Sequence, residues 1–140
     1  MTDAEDFSHG FYADYSGVSF YGPPVNGFWL DRLAVSDRYI RPLFSAILDR
    51  VGADSGGKAA PRLVCEWNAL EGWVDADRAV EVGRTDAEGL LDALASITLV
   101  DVAPYCAGCT PEECIRCASA IRQFIEDRVA RSVGVFIEYE

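Results

Sequence analysis

The chain has 140 residues, of which half are hydrophobic and a quarter are charged. This balance is typical of a globular protein with a substantial core, and we predict a single domain over residues 1–140. Aspartate and glutamate number 23 against 12 lysines and arginines, which gives a formal net charge of −11. Such an acidic surface disfavours direct nucleic-acid binding and anionic membranes, and it favours a basic protein as partner.

Hydropathy and the first residues of the chain predict the compartment. No uninterrupted apolar run approaches the roughly 20 residues that a membrane-spanning helix needs. The opening sequence MTDAED is acidic and lacks the basic-then-apolar pattern of a secretory signal. We therefore expect a cytoplasmic protein. In that reducing compartment, clustered cysteines hold metal or do redox chemistry more often than they form structural disulfides.

Aromatic residues are concentrated near the N-terminus. Residues 7–29 carry eight aromatic side chains, and glycines and the pair Pro23-Pro24 interrupt them. These breaks predict short strands and turns, with one strand at Val18–Tyr21. Rigid rings beside carboxylates are typical of a recognition surface. The candidate partner-binding residues are Tyr12, Tyr15, Tyr21, Trp29, Asp14 and Asp31. The alternative is that the rings fill the core, with Phe20 and Trp29 buried.

The middle of the chain alternates between helical and extended patterns. Apolar residues recur every three or four positions over Ser36–Val51, which predicts a helix. A Gly-rich connector at about 53–61 is predicted to be a mobile loop. The apolar runs Arg62–Trp67 and Ile97–Val102 predict buried strands, and a further strand is predicted within Trp73–Val82.

Two capping boxes mark the later helices. In Thr85–Glu88 and again in Thr110–Glu113, a hydroxyl and a carboxylate three residues apart can each accept an unpaired backbone N–H. The first box predicts a helix to about Ser96, and the second, with proline at its first helical position, predicts one to about Arg131. Val133–Tyr139 then forms a strand. The sum is an α+β (or α/β) fold, a two-layer domain with about three helices on a mixed sheet of four to five strands.

The most specific motif is a pair of CxxC sequences within twelve residues, CAGCTPEECIRC. Its thiols, Cys106, Cys109, Cys114 and Cys117, are the ligand type that zinc takes in structural sites. The second capping box places Cys114 and Cys117 on one face of the last helix, beside the loop that holds the other two. The spacing is shorter than in zinc ribbons, and the arrangement resembles a compact zinc knuckle. We predict a structural zinc ion, because four thiolates leave no position open for water or substrate.

Other chemistry is compatible with the same cysteines. An iron–sulfur cluster would use the same four ligands. A dithiol–disulfide centre is the third alternative, because Cys114 and Cys117 lie at a helix start, where the dipole lowers a thiol pKa. The neighbouring Glu112 and Glu113 oppose that effect. Cys65 lies inside an apolar run and is predicted to be an ordinary core residue.

Signals for catalysis elsewhere in the chain are weak. His9 is the single histidine, so any histidine-based catalytic centre would depend on it alone. The segment Ser55-Gly-Gly-Lys58 lacks the spacing and the Ser/Thr of a phosphate-binding loop. Carboxylates are abundant, but no spacing singles out an acid–base pair. We therefore assign no catalytic residue and expect that the protein is not an enzyme.

These patterns favour a non-enzymatic acidic protein that occludes a basic partner protein and carries a structural zinc site. In size and charge the chain resembles bacterial toxin-neutralising immunity proteins and phage-encoded inhibitors, and the resemblance implies opposition to a cationic enzyme. One alternative is a small metal- or thiol-dependent redox protein centred on the paired CxxC motifs. Another is an accessory subunit of a larger complex, in which the zinc site orders a docking loop. The sequence leaves the oligomeric state open.

Overall fold

The computed structural model describes residues 7–8, 16–53 and 60–140. Over these residues the chain forms four strands and five α-helices, with single 3-10 turns at Gly72–Val74 and Ala103–Tyr105. In chain order the elements are β1 (Gly17–Tyr21), β2 (Arg32–Ser36), α1 (Asp37–Ala53), α2 (Arg62–Ala69), β3 (Val80–Val82), α3 (Arg84–Ser96), α4 (Leu99–Val102), α5 (Pro111–Ala130) and β4 (Val135–Tyr139). None of the helices in the described ranges is long and apolar enough to cross a membrane.

The four strands form one antiparallel sheet in the order β2-β1-β4-β3. A hairpin joins β1 to β2, and β4 pairs with both β1 and β3 in the centre of the sheet. The predicted α+β architecture is confirmed. The sheet is antiparallel rather than mixed as predicted, because each of its three pairs of neighbouring strands runs in opposite directions.

The core lies between this sheet and the helices. Phe20 of β1 pairs with Ile137 of β4, and both are almost fully buried. Alternate residues of a strand point to opposite faces, so this face of the sheet meets the helices. The helices contribute the other side chains of one contiguous core, which includes Leu43, Phe44, Ile47, Val64, Leu90, Leu94, Val102, Ile121 and Ile125.

Two predicted strands are wrong. The segment predicted as a strand from Arg62 is helix α2, in which Leu63 and Val64 are buried while Cys65 is exposed. A short apolar run cannot be assigned to strand or helix from periodicity alone. The prediction that Cys65 is a core residue is wrong for the same reason. Its thiol points outward and donates to the carbonyl of Ala60, with sulfur and oxygen 3.6 Å apart.

The predicted strand Ile97–Val102 is also helical. Thr98 caps α4 through a capping box with Asp101, so the run Thr-Leu-Val-Asp starts a short helix. The box predicted at Thr85 does not form, because α3 starts two residues earlier, with Gly83 as its N-cap. Glu88 instead pairs with Arg84 at 3.0 Å.

The remaining predicted elements match in position, within a few residues at their ends. They are the strands at β1, β3 and β4 and the helices α1, α3 and α5. Residues 54–59, most of the predicted loop at 53–61, lie outside the described residues.

Candidate metal centre and hairpin finger

The start of helix α5 is fixed by the predicted capping box. The Thr110 hydroxyl accepts from the backbone N–H of Glu113 at 3.1 Å, and the Glu113 carboxylate accepts from the N–H of Thr110 at 2.9 Å. Pro111 occupies the first helical position. This start directs Cys114 into the interior, where it is fully buried. The preceding loop carries Cys106 and Cys109 to the same point.

Three of the four predicted ligands lie together. The sulfurs of Cys106, Cys109 and Cys114, which we call the thiol cluster, all lie within 4.8 Å of one another. The Cys109 and Cys114 sulfurs are 3.5 Å apart, and those of Cys106 and Cys114 are 3.9 Å apart. Thiolates at about 2.3 Å from a tetrahedral zinc ion are separated by about 3.8 Å. The thiol cluster could therefore hold one metal ion.

Cys117 is buried three residues after Cys114, about one turn along α5, but it is not part of the thiol cluster. Its thiol contributes to the electrostatic environment of the Tyr39 hydroxyl. Burial, followed by the charge of Glu113, raises the pKa of Tyr39. The capping box predicted the helix face of Cys117 but not the direction of its side chain. A four-thiol site therefore stays a prediction.

The environment of Cys109 and Cys114 keeps these two thiols protonated. Burial raises the pKa of Cys109 to about 11, and burial and the neighbouring Cys109 raise the pKa of Cys114 further. The helix N-terminus does not offset this desolvation. A redox centre needs a thiol whose pKa is lowered, so these two residues lack the property that the redox alternative requires.

The thiol cluster lies where three helices meet. The Cys106 thiol donates to the carbonyl of Val102 in α4 at 3.3 Å, and the Cys109 thiol donates to the carbonyl of Arg38 in α1 at 3.4 Å. The Arg38 side chain passes over the loop, with its Nε 3.6 Å from the position that a Cβ on Gly108 would take. An ion bound by the thiol cluster would therefore join the loop that follows α4 to the first turn of α5, beside α1.

Several of the other candidate residues fall outside the described residues, namely His9, Tyr12, Asp14 and Tyr15. Tyr21 is 5% exposed and so offers little surface to a partner. Trp29 is partly exposed and packs on Tyr21 and Phe136, with ring centroids 4.9 and 5.2 Å apart. Asp31 forms an ion pair with Arg128.

The structure adds exposed apolar residues that the sequence analysis missed. Residues Gly22–Asp31, which we call the hairpin finger, connect β1 to β2, and Val25, Phe28 and Leu30 within it are exposed. Backbone bonds of 2.9 Å in both directions join Val25 and Phe28 around a two-residue turn. The Asn-Gly pair of that turn, flanked by apolar residues, is the signal that predicts it.

Comparisons with protein-family models, with curated proteins and with solved structures each gave no match. The function is therefore inferred from the residues of this chain. Two features carry that inference, the thiol cluster and the hairpin finger.

Proposed function

We propose that this protein is a non-enzymatic acidic binding protein, stabilised by a structural zinc ion, that occludes a basic partner protein. The observation that carries the proposal is the geometry of the thiol cluster. Its sulfurs are spaced for one ion and lie between helices, with Cys114 fully buried. With Cys117 as a fourth ligand, the site would leave no coordination position open for a substrate, as in structural zinc sites.

Zinc is the proposed ion because of the separation between the sulfurs. Distances of 3.5 and 3.9 Å fit thiolates around a single ion. An iron–sulfur cluster places several irons and sulfides between its cysteines and would hold their sulfurs further apart. Cys117 is the proposed fourth ligand, since it is buried and follows Cys114 by one turn of α5, on the same face of the helix.

The proposed partner follows from charge. With a net charge of −11, the protein attracts a cationic surface over long range and repels nucleic acid. The same charge and the same size support the resemblance to toxin-neutralising immunity proteins and phage-encoded inhibitors. The partner in that interpretation is a basic enzyme whose working surface is covered.

Elemental analysis of the purified protein tests the metal. We expect about one zinc per chain and negligible iron, with the zinc lost in Cys114→Ser and retained in the matched variant Cys65→Ser. The exposed Cys65 is the appropriate control because it makes the same chemical change outside the thiol cluster. Folded protein without zinc, or with iron in its place, would contradict this part of the proposal.

The salt dependence of binding tests the partner. Once a partner has been copurified and identified, we expect it to be basic, and we expect the association rate to fall steeply as salt rises. Screening shortens the range of charge interactions from about 10 Å at 0.1 M to about 3 Å at 1 M salt. An association rate that does not change with salt would refute electrostatic recognition.

One observation favours each alternative function. The Cys109 and Cys114 sulfurs, at 3.5 Å, are close enough to be drawn into a disulfide by a small movement, as a redox protein requires. Turnover of a disulfide substrate by the metal-free protein would support that alternative.

Next to the thiol cluster, Leu99, Val100 and Tyr105 are exposed, as a docking loop of an accessory subunit requires. Copurification of a stable multisubunit complex that is lost in Val100→Asp would support it.

A further inference from the structure

The hairpin finger carries a dense group of exposed apolar side chains. Phe28 is 68% exposed and Leu30 is 74% exposed, and Val25 beside them is also exposed. Elsewhere among the described residues, the adjacent Leu99 and Val100 of α4 form a smaller exposed pair, whereas Leu70 and Val133 are single exposed residues. Scattered residues of that kind are ordinary, whereas a group of them indicates an interaction site.

The backbone geometry of the hairpin finger restricts the conformation of its tip. Asn26 and Gly27 both have positive φ, at 51° and 82°, and the backbone bonds between Val25 and Phe28 close the turn around them. A two-residue turn in which both central residues have positive φ matches the twist of the two strands of a hairpin. The preceding Pro23-Pro24 restricts the backbone further. A preformed tip loses little conformational entropy when it binds.

The base of the hairpin finger is anchored to the rest of the fold. The N–H of Gly22 donates to the carbonyl of Asp31 at 2.9 Å, and the Asp31 carboxylate pairs with Arg128 of α5. Arg128 is only 8% exposed, and its guanidinium lies 3.6 Å from the ring centroid of Phe124. A Cβ on Gly22 would lie 2.5 Å from an Asp31 oxygen, so a larger residue at this position would displace the carboxylate that pairs with Arg128.

Trp29 packs one side of the hairpin finger against the sheet. Its ring packs on Tyr21 and Phe136 of the sheet. Neighbouring residues of an extended segment point to opposite sides, so Phe28 and Leu30 face away from that contact. The tryptophan therefore fixes the position of the segment while its two neighbours are presented to solvent.

The acidic side chains of the sheet beside the hairpin finger lie on its Trp29 side. Glu81 lies directly opposite Phe136 in the sheet, and Glu138 follows two residues later on the same face. The segment from Val25 to Leu30 itself carries no charged side chain. On a protein of net charge −11, such an uncharged tip complements an apolar groove with a basic rim.

We propose that the hairpin finger is the docking element of this protein and inserts Phe28 and Leu30 into an apolar groove, rimmed by lysine and arginine, on a basic partner protein. This inference rests on the proposed function and adds the surface by which the partner is bound. A second copy of the chain is not the occupant, since two surfaces of net charge −11 repel each other.

Photo-crosslinking followed by affinity measurement tests the proposal. A photoreactive phenylalanine analogue replaces Phe28 in one variant and the matched residue Leu70 in another, since Leu70 is equally exposed at 70% but lies at the end of α2. In native cells we expect position 28 to crosslink to a basic protein within an apolar groove, and position 70 not to crosslink to that protein. With the purified pair, Phe28→Ala and Leu30→Ala should each weaken binding about 10- to 100-fold. Leu70→Ala should leave both binding and folding unchanged.

The outcomes separate this inference from the proposed function. If a basic partner binds in a salt-dependent manner but with equal affinity to wild type and Phe28→Ala, the docking element is wrong and the proposed function stands. If no basic partner binds to any part of the chain, both are wrong. Crosslinking of position 28 to a second copy, with a dimer in sedimentation that Phe28→Asp abolishes, would overturn the assignment of the occupant. Binding of the wild type, but not of Phe28→Asp, to zwitterionic lipid vesicles would likewise overturn it.

Discussion

The cysteine loop, Cys106–Cys117, and the hairpin finger are both short turn-rich segments, yet they direct their side chains in opposite ways. In the cysteine loop the thiols, which are the reactive groups, point inward and bond to backbone carbonyls. In the hairpin finger the apolar side chains, which water disfavours, point outward. Thiols grouped at metal-ligand spacing and grouped exposed apolar side chains each need a functional reason, and the two regions have different ones. We interpret the first as a structural metal site and the second as a binding surface.

Removal of the metal is expected to have the largest effect on stability. An ion present at about 1,000 times its Kd stabilises the folded state by about 4 kcal/mol, which is about 14 °C in thermal midpoint for a domain of this size. A chelator should therefore lower the midpoint of the wild type by about that amount. Cys114→Ser should have a low midpoint that the chelator does not change, while Cys65→Ser should match the wild type. Calorimetry measures these midpoints, and a wild-type midpoint that is indifferent to the chelator would contradict the comparison.

The reactivity of the thiols sharpens the same contrast. Burial raises the pKa of Cys109 from 9.0 to about 11 in the metal-free protein. At pH 8 its thiolate fraction should therefore be about 100-fold smaller than in the unfolded chain, and its alkylation correspondingly slower. Mass spectrometry of the alkylated protein measures these rates, with the exposed Cys65 as internal control. Rapid alkylation of Cys109 in folded, metal-free protein would restore the redox alternative.

The raised thiol pKa also predicts how the stability of the metal-free protein changes with pH. The folded chain holds the Cys109 proton more tightly than the unfolded chain does. The stability is therefore unaffected by this group below about pH 9, and it falls as the pH rises from about 9 towards about 11. In Cys109→Ser that fall should be smaller, as urea unfolding at several pH values would show.

The thiol cluster was largely predictable because its ligands are local. Two CxxC pairs and a capping box within twelve residues fix three of the thiols at one point. The direction of the Cys117 side chain was not predictable, since helical spacing sets a face of the helix and packing sets the rotamer. In the same way, the burial of Leu63 and Val64 in a helix depends on the packing of α2. The apolar run alone therefore did not distinguish helix from strand.

The hairpin finger was predictable only as an aromatic, turn-rich stretch. Whether each ring is core or surface depends on contacts that are remote in the sequence. Trp29 is held by Phe136 and Asp31 by Arg128, both about a hundred residues later. The Asn-Gly pair was the one local signal for the turn, and it carries no information about exposure. The acidic balance predicted a basic partner but not the surface that binds it.

The anchor of the hairpin finger is tested by two arginines that share Asp127 as a partner. Arg128 is nearly buried, stacks on Phe124 and pairs with Asp31, whereas Arg131 is an exposed i,i+4 partner. Arg128→Ala should lower the free energy of unfolding by about 2 kcal/mol, because it removes packing as well as charge. Arg131→Ala should change it by less than about 0.5 kcal/mol. Urea unfolding measures both values, and equal effects would mean that Arg128 does not anchor the hairpin finger.

The turn of the hairpin finger gives the smallest expected effect. Gly27 has a φ of +82° with open space around it, so Gly27→Ala meets backbone strain but no clash. We expect a cost of about 1 kcal/mol, with faster exchange of the Phe28 amide, which donates to Val25. Gly89→Ala is the control, since Gly89 lies inside α3 without a positive φ, and a Cβ there would meet only Pro61 at an ordinary 4.0 Å. If amide exchange at Phe28 is unchanged in Gly27→Ala, the tip is kept ordered by the anchored base of the hairpin finger rather than by the turn. Rigidity of the hairpin finger would then depend on Arg128 and Trp29 rather than on its turn.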